Sequence, residues 1–236
     1  MKIEGKNAVT ELLKTDRPVD KLLLLKGAES SCGRIFAMAR EKGVRVQFAD
    51  AKALARESET GRCQGVIAFV SDYEYAGLDE LCAPKAGARL VIVCDGIEDV
   101  HNLGSILRVA ECAGADGVII PKNKSAQVTG AVVRISEGAA NHVRVARVPG
   151  VNYAIDRLKE SGFWVYGLEA EGENLYRCDL TGDVALVVGG EDRGVSPLTR
   201  KKCDKLLSLP LKGQVNSLNA SVALGIAAYE ALRQRT

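Results

Sequence analysis

The chain has 236 residues, of which 47% are hydrophobic and 26% are charged, and its formal net charge is +2. These proportions are ordinary for a globular protein and exclude a disordered polar chain. No run of eighteen apolar residues occurs, and the N-terminal MKIEGKNAVTELLK lacks an apolar signal core, so we expect neither a membrane span nor an export signal. The small positive charge is compatible with a nucleic-acid partner but does not indicate one.

The first 72 residues alternate between helical and extended patterns. In chain order, the patterns predict a helix at NAVTELLK, a strand at KLLLLKG, a helix at GRIFAMAREKG that ends at Gly43, a strand at VRVQFA, a helix at ADAKALARE capped by Asp50, and a strand at GVIAFV. We therefore expect a small α/β domain over residues 1–72.

Residues 73–89 have weak periodicity, and we expect a linker there with one helical turn at Leu78–Leu81. The alternation restarts at Leu90, with predicted strands at LVIVC, GVIIP, VRVARV, FWVYGL, VALVVG and KLLSLP. Helical patterns lie between and after them at SILRVAECAGA, VNYAIDRLKES and SVALGIAAYEALRQR. Continuous Val, Ile and Leu runs are typical of parallel strands buried on both faces. The second predicted domain, residues 90–236, is therefore α/β with a mostly parallel sheet.

Three polar stretches of the second domain each follow a predicted strand. They are HNLGSILR (101–108), after LVIVC and the turn DGIED, then GGEDRG (189–194), after VALVV, and GQVNSLNAS (213–221), after KLLSLP. Open α/β sheets bind their ligands at the carboxyl ends of the strands. The sequence therefore predicts one site to which all three stretches contribute.

The residue types of these stretches favour binding and positioning. Taken alone, Arg108 is explained by a solvated contact with Glu111, and Asn102 is explained by a helix cap. Because both residues follow a buried strand, their joint placement favours a fixed guanidinium that binds a phosphate or carboxylate. A single cap does not explain both Asn and both Ser of NSLNAS. Such neutral donors and acceptors suit an adenosine and a ribose.

Several other chemistries lack their sequence signals. The chain has no G-K-[ST] phosphate loop, no G-x-G-x-x-G after a strand, and no G-x-S-x-G partner for its two histidines, His101 and His142. Its seven cysteines are scattered without a C-x-x-C pair, so we expect no metal site and free thiols in a reducing cytoplasm. Catalysis is therefore expected to depend on positioning.

Three stretches resemble, in this order, the three signature motifs of the SpoU (TrmH) ribose methyltransferases of the SPOUT superfamily. They are DVHNLGSILRVAECAGADGVII, VALVVGGEDRGVS and LLSLPLKGQVNSLNASVA, and the resemblance covers about residues 90–235. The first domain, with IEGKNAVTELL and CQGVIAFV, is similar to the RNA-binding domain of the bacterial 23S rRNA (guanosine-2'-O)-methyltransferases. The resemblance implies S-adenosylmethionine-dependent methylation of a ribose 2'-hydroxyl in RNA, and the similarity of the first domain favours a guanosine of 23S rRNA. It also implies a deep trefoil knot in the parallel sheet and a homodimer packed through the knot.

The resemblance implies the site residues as well. Backbone groups of the knot hold the cofactor in this family, and the matching positions here are Gly189, Gly190, Leu209, Pro210, Leu218 and Asn219. The catalytic residues that it implies are Asn102, Arg108, Glu191, Ser217 and Asn219.

The implied roles differ among these residues. Asn102 would organise the active-site loop, and Arg108 would contact the RNA phosphate and the target ribose. Arg108 is either the base for the 2'-hydroxyl or a clamp that stabilises the developing alkoxide; a guanidinium pKa above about 12 favours the clamp. Glu191, with Ser217 or Ser221, would orient Arg108, the ribose or the cofactor.

Three alternatives stay open. Within the family, the substrate could be a tRNA or another rRNA nucleotide. From another class, the chain could be a non-catalytic RNA-binding factor for ribosome assembly that kept the fold. The third alternative is a generic nucleotide-binding α/β enzyme, which would bind ATP or NAD in place of S-adenosylhomocysteine.

Overall fold

The computed structural model describes residues 1–15, 17, 19–70, 73–190 and 193–236. The chain forms two compact units, the first containing residues 1–74 and 128–142 and the second containing residues 75–127 and 143–236. Within the described part of the chain, no helix has the length and apolar character that a membrane crossing needs.

The first unit is a four-stranded mixed sheet with helices. Its strands are β1 (Lys2–Glu4), β2 (Val19–Leu25), β3 (Val46–Ala49) and β4 (Val66–Val70), and its helices are α1 (Lys6–Leu12), α2 (Glu29–Glu41), α3 (Ala51–Glu57) and α6 (Gly130–Ile135). The strand order is β1-β4-β2-β3, with β2 and β3 parallel and both pairs of β4 antiparallel. Asp50 caps α3 by accepting a hydrogen bond from Ala53 N at 2.7 Å, as predicted.

Helix α6 is the main departure from the sequence prediction, which placed residues 128–142 in the second domain. Gly130 starts α6 so close to β1 that an added Cβ would lie 1.5 Å from Lys2 O. At Gly138, an added Cβ would lie 2.2 Å from the Cβ of Glu11 in α1. The two glycines therefore let this segment pack onto the first unit. The predicted boundaries at residues 72 and 90 stay predictions.

The second unit contains a six-stranded, fully parallel sheet. Its strands are β5 (Leu90–Asp95), β6 (Gly117–Pro121), β7 (Val145–Val148), β8 (Trp164–Asn174), β9 (Val184–Gly189) and β10 (Lys205–Ser208), in the order β10-β8-β9-β5-β6-β7. Its helices are α4 (Leu78–Cys82), α5 (Val100–Cys112), α7 (Val151–Glu160), α8 (Pro197–Lys202) and α9 (Ala220–Arg235). The six predicted strands are all present, and α4 confirms the helical turn expected in the linker.

The central strands are apolar because helices cover both faces of the sheet. Val91, Ile92 and Val93 of β5 are fully buried, as are Ala185 and Leu186 of β9. Burial of this kind stabilises the fold by about 1.5–3 kcal/mol for each large side chain. The α/β class with a parallel sheet, predicted from these runs, is confirmed.

The strand order places the carboxyl ends of β5 and β9 side by side. Asp95 at the end of β5 pairs with Gly189 at the end of β9. The chain leaves β5 towards β6 and β7 and later returns to the other side of β5, so the direction of winding changes here. Ligands of open α/β sheets bind at such a position. The trefoil knot expected from the resemblance stays a prediction.

Candidate active site

Two neighbouring cavities lie at the carboxyl edge of the parallel sheet. The first has a volume of about 580 Å³ and lies between the ends of β8 and β9, the loop after β10 and the start of α9. The second, about 870 Å³, lies between the loop after β5, the loop after β6 and the start of α7. Both cavities are lined by Gly190, Arg193 and Gly194, so the loop after β9 separates them.

The end of β9 is glycine because backbone of the following loop lies directly against it. A Cβ added to Gly189 would lie 1.9 Å from Gly194 C and 2.2 Å from Val195 N. One added to Gly190 would lie 2.6 Å from Gly96 O. These contacts are with backbone atoms, which no side-chain rotation relieves. The two glycines therefore shape the wall that the cavities share.

Side chains from two other strands fix the same loop. Glu169 of β8 accepts a hydrogen bond from Val195 N at 2.6 Å and pairs with Arg200 Nη2 at 2.9 Å. Arg200 Nε in turn donates to Val195 O at 2.7 Å. Asp95 of β5 accepts from Ser196 N at 2.8 Å. The sequence analysis missed Glu169 and Arg200, although a carboxylate directly after the apolar FWVYGL run was a usable signal.

An amide bridge joins the first and third motifs. Asn219 Nδ2 donates to Asn102 Oδ1 at 2.9 Å, and Asn102 is only 7% exposed. Asn219 is also the N-cap of α9, because its Oδ1 accepts from Ser221 N at 3.0 Å and Val222 N at 3.3 Å. Asn219 lines the first cavity and Asn102 the second. The bridge therefore lies where the two cavities meet.

The two roles of Asn219 are separable. Asn219→Ala removes cap and bridge, and we expect it to lower the free energy of unfolding by about 1 kcal/mol. Asn219→Ser keeps a capping oxygen, so its stability should stay within a few tenths of a kcal/mol of wild type. Urea unfolding measures both. The methyl transfer that the sequence resemblance implies should fall in both variants, and a wild-type rate in the Ser variant would show that the bridge has no part in the reaction.

The other predicted residues fall into three groups. Six of them line the first cavity: Gly189, Gly190, Leu209, Ser217, Leu218 and Asn219. Pro210 follows Leu209 in sequence but is not part of the lining. Arg108 is exposed on α5 and lines neither cavity. No described residue forms a hydrogen bond or ion pair with its guanidinium. Glu191 lies outside the described residues.

Burial disfavours the thiolate form of two cysteines near the sheet edge. Burial raises the pKa of Cys94, at the end of β5, to about 12, and that of Cys203, after α8, to about 11. At neutral pH both are therefore protonated. All seven cysteines lie within the described residues, and each is a free thiol. The described residues contain no group of three or more His, Cys, Asp or Glu placed to hold a metal ion.

Comparison with known proteins agrees with this architecture over both units. Residues 89–229 match the SpoU rRNA Methylase family, and residues 2–76 match the family described as RNA 2'-O ribose methyltransferase substrate binding. These two matches, one over the parallel α/β unit and one over the part of the chain before it, place the chain in the class of RNA methyltransferases. The chain belongs to the SpoU rRNA Methylase family.

Relatives cover nearly the whole chain. The TrmH family tRNA/rRNA methyltransferase YacO of Bacillus subtilis is 40% identical over 98% of this chain and 94% of its own. A TrmH family tRNA/rRNA methyltransferase of Staphylococcus aureus is 41% identical over 99% of this chain and 96% of its own. The crystal structure of the SpoU methyltransferase AviRb from Streptomyces viridochromogenes with AdoMet has a TM-score of 0.84 at 26% identity, covering 100% of this chain and 90% of AviRb.

Proposed function

We propose that this protein transfers the methyl group of S-adenosylmethionine to a ribose 2'-hydroxyl of RNA. The observation that carries the proposal is the pair of adjoining cavities joined by the Asn102–Asn219 bridge. One cavity suits the methyl donor and the other a nucleotide, so that the donor methyl and the acceptor hydroxyl would meet beside the Asn102–Asn219 bridge, where the cavities adjoin. Membership of the SpoU family and the AdoMet-bound AviRb structure support the same reaction.

The first cavity fits S-adenosylmethionine in size and lining. Its volume of about 580 Å³ lies within the roughly 300–1,000 Å³ of most small-ligand sites. Leu168, Leu209 and Leu218 offer apolar contact for an adenine ring, while Ser217 and the backbone at Gly189 offer neutral hydrogen-bonding groups for the ribose. The bound cofactor supplies an electrophilic methyl group on a sulfonium centre.

The second cavity suits the target nucleotide because it combines cations with the buried amide. Lys124 and Arg193 line it together with three carboxylates, Asp95, Glu98 and Asp99, and the two cations offer charge for RNA phosphates. Asp95 and Asp99 accept backbone hydrogen bonds from Ser196 and His101. Asn102, held by Asn219, orients the ribose at the shared wall. Lys124 has a positive φ of 53°, a backbone conformation that is uncommon outside glycine and clusters at functional sites. Alignment of the hydroxyl with the donor accounts for most of the expected rate enhancement.

Arg108 fits this scheme when a second copy of the chain is present. It is exposed and lines neither cavity of its own chain. Helix α9 packs on α5 and exposes Val222 and Tyr229, each 50% exposed and seven residues apart on one helix face. A homodimer through this surface of α9 would bury them. It would also bring Arg108 to the site of the second copy, where it clamps a phosphate and stabilises the developing alkoxide.

A guanosine of 23S rRNA is the proposed target, and the cytoplasm, where ribosomal RNA is processed, is the proposed location. The matched family is described as an rRNA methylase, which favours rRNA over tRNA. The relatives carry both substrates in their names, so tRNA methylation is the second candidate. The retained Asn102–Asn219 bridge favours an enzyme over a non-catalytic assembly factor.

Two measurements test this function. In titration calorimetry, S-adenosylhomocysteine should bind one site per chain, whereas ATP and NAD should not bind. Tritiated methyl groups from S-adenosylmethionine should enter rRNA and not tRNA from cells that lack this protein. Binding of ATP or NAD in place of S-adenosylhomocysteine would assign the chain to the generic nucleotide-binding enzymes. Cofactor binding without methyl incorporation into either RNA would contradict the proposed activity.

A further inference from the structure

A small apolar groove of about 140 Å³ lies on the first unit between α2 and β3. Phe36 of α2 and Phe48 of β3 line it, and they are 37% and 43% exposed. Their ring centroids are 5.8 Å apart, and the ring planes are inclined by 43°. Leu24 and the buried Cys32 also line the groove. Two aromatic faces are thus accessible to a flat ligand from solvent.

The groove is open at its helical side. Gly33, Phe36, Ala37 and Arg40 follow the spacing i, i+3, i+4, i+7, which places them on one face of α2, and all four are exposed. A Cβ added at Gly33 would meet no atom within 4 Å. Among the described residues, no side chain therefore covers the groove above Gly33.

The surroundings of the groove are cationic. Residues 30–48, which contain both phenylalanines, carry four cations (Arg34, Arg40, Lys42 and Arg45) and one anion (Glu41), so that the segment has a net charge of +3. Arg34, Arg40 and Arg45 are exposed. The residues that line the groove include none of these cations, but Arg40 lies on the same face of α2 as Gly33 and Phe36. An apolar groove with such a neighbouring cation suits a ligand that combines a flat apolar ring with negative charge. A nucleotide of single-stranded RNA has both.

We propose that the Phe36–Phe48 groove is a stacking site for one unpaired RNA base outside the methylated nucleotide. The inference rests on the proposed function and adds to it a contact that selects single-stranded RNA. The base stacks on an aromatic face, and the neighbouring arginines contact the flanking phosphates. The groove is smaller than the roughly 300–1,000 Å³ of most small-ligand sites, so it holds a single ring system. Paired bases have no free face and do not enter it.

The test measures the affinity of the full chain for two RNAs of equal length, a hairpin with a single-stranded loop and a fully paired duplex. Phe36→Leu and Phe48→Leu keep apolar bulk but remove the aromatic face. We expect each to weaken hairpin binding by roughly 5- to 150-fold and to leave duplex binding unchanged. Phe48→Trp should keep the wild-type affinity for the hairpin.

Three further variants separate stacking from other effects. Trp164→Leu removes a 56% exposed aromatic ring from the second unit and should leave both affinities unchanged. Gly33→Leu leaves both rings in the chain but fills the open groove beside Phe36, and it should weaken hairpin binding only. Arg40→Ala should reduce the dependence of affinity on salt by about one phosphate contact. The phenylalanine variants should not change that dependence.

Equal hairpin affinity in wild type and in both leucine variants would overturn the proposal. So would a change of oligomeric state in sedimentation equilibrium without a change in RNA affinity, because the groove would then belong to a contact between copies. The methylation assay is independent of these binding measurements. If the wild-type chain binds the hairpin through the groove but methylates no RNA, the proposed function is contradicted and the stacking site is still supported.

Discussion

Arg108→Ala is expected to lower the rate of methyl transfer by about 100-fold or more, the usual cost of removing one group that stabilises developing negative charge. Affinity for S-adenosylhomocysteine should stay unchanged, because Arg108 does not line the first cavity. Single-turnover assays measure the rate and calorimetry the affinity. Arg177→Ala, another exposed arginine of the second unit, is the matched control and should keep wild-type activity.

The Lys variant separates the two roles proposed for Arg108. A clamp needs positive charge, so Arg108→Lys should retain part of the rate while losing the two-pronged contact of a guanidinium. A rate for Arg108→Lys as low as that for Arg108→Ala would show that the guanidinium geometry, and not its charge, is required. Wild-type activity in Arg108→Ala would remove this residue from the mechanism.

Mixing two impaired variants, at a cofactor concentration too low for the Gly189→Ala site to bind it, tests whether Arg108 acts on a second copy. An Arg108→Ala chain keeps its cofactor cavity, and a Gly189→Ala chain keeps its arginine. In a mixed dimer, one of the two sites is then complete. Random exchange of subunits should restore about a quarter of the wild-type sites. A mixture without activity, in which exchange has been verified, would place Arg108 at the site of its own chain.

Gly189→Ala is the second change with a large expected effect. Its Cβ would lie 1.9 Å from Gly194 C, and such overpacking typically costs about 1–3 kcal/mol of stability. We expect the loop after β9 to shift away from Glu169 and S-adenosylhomocysteine to bind at least 10-fold more weakly. Calorimetry and urea unfolding measure the two effects on the same preparation.

Gly213→Ala is the matched control for this change. Gly213 lies in the third motif, where an added Cβ would meet nothing within 4 Å. Its stability and cofactor affinity should therefore equal those of the wild type. A Gly189→Ala variant that binds the cofactor as tightly as Gly213→Ala would show that the loop after β9 does not shape the donor site.

The sequence was sufficient to predict the sheet, because buried parallel strands leave long apolar runs such as LVIVC and VALVVG. Helix α6 was not predicted, because its position depends on tertiary contacts and not on a long pattern in its own sequence. It has only six residues, and its place is set by the close approach of Gly130 to Lys2, a contact between segments far apart in the chain. Short helices depend on such tertiary packing more than on their own propensity.

The site was predictable where one motif forms one part of it. Gly189 and Gly190 at the end of β9 form one continuous stretch, and Ser217, Leu218 and Asn219 before α9 form another. Both stretches line the same cavity. Glu169 was missed although it directly follows the FWVYGL run. Its ion pair with Arg200 could not be predicted, because it depends on how the strands are arranged in the fold. The place of Arg108 could not be predicted either, since a single chain leaves it on the surface of α5.

The proposed ribose methylation is tested most directly by locating the transferred methyl group on the RNA. RNA incubated with the protein and S-adenosylmethionine bearing an isotopically labelled methyl group is digested to nucleosides and analysed by mass spectrometry. We expect the label on the ribose, as 2'-O-methylguanosine, and we expect Arg108→Ala to reduce it by about 100-fold or more. Label on a base, or no labelled nucleoside in a preparation that binds S-adenosylhomocysteine, would contradict the proposed ribose methylation.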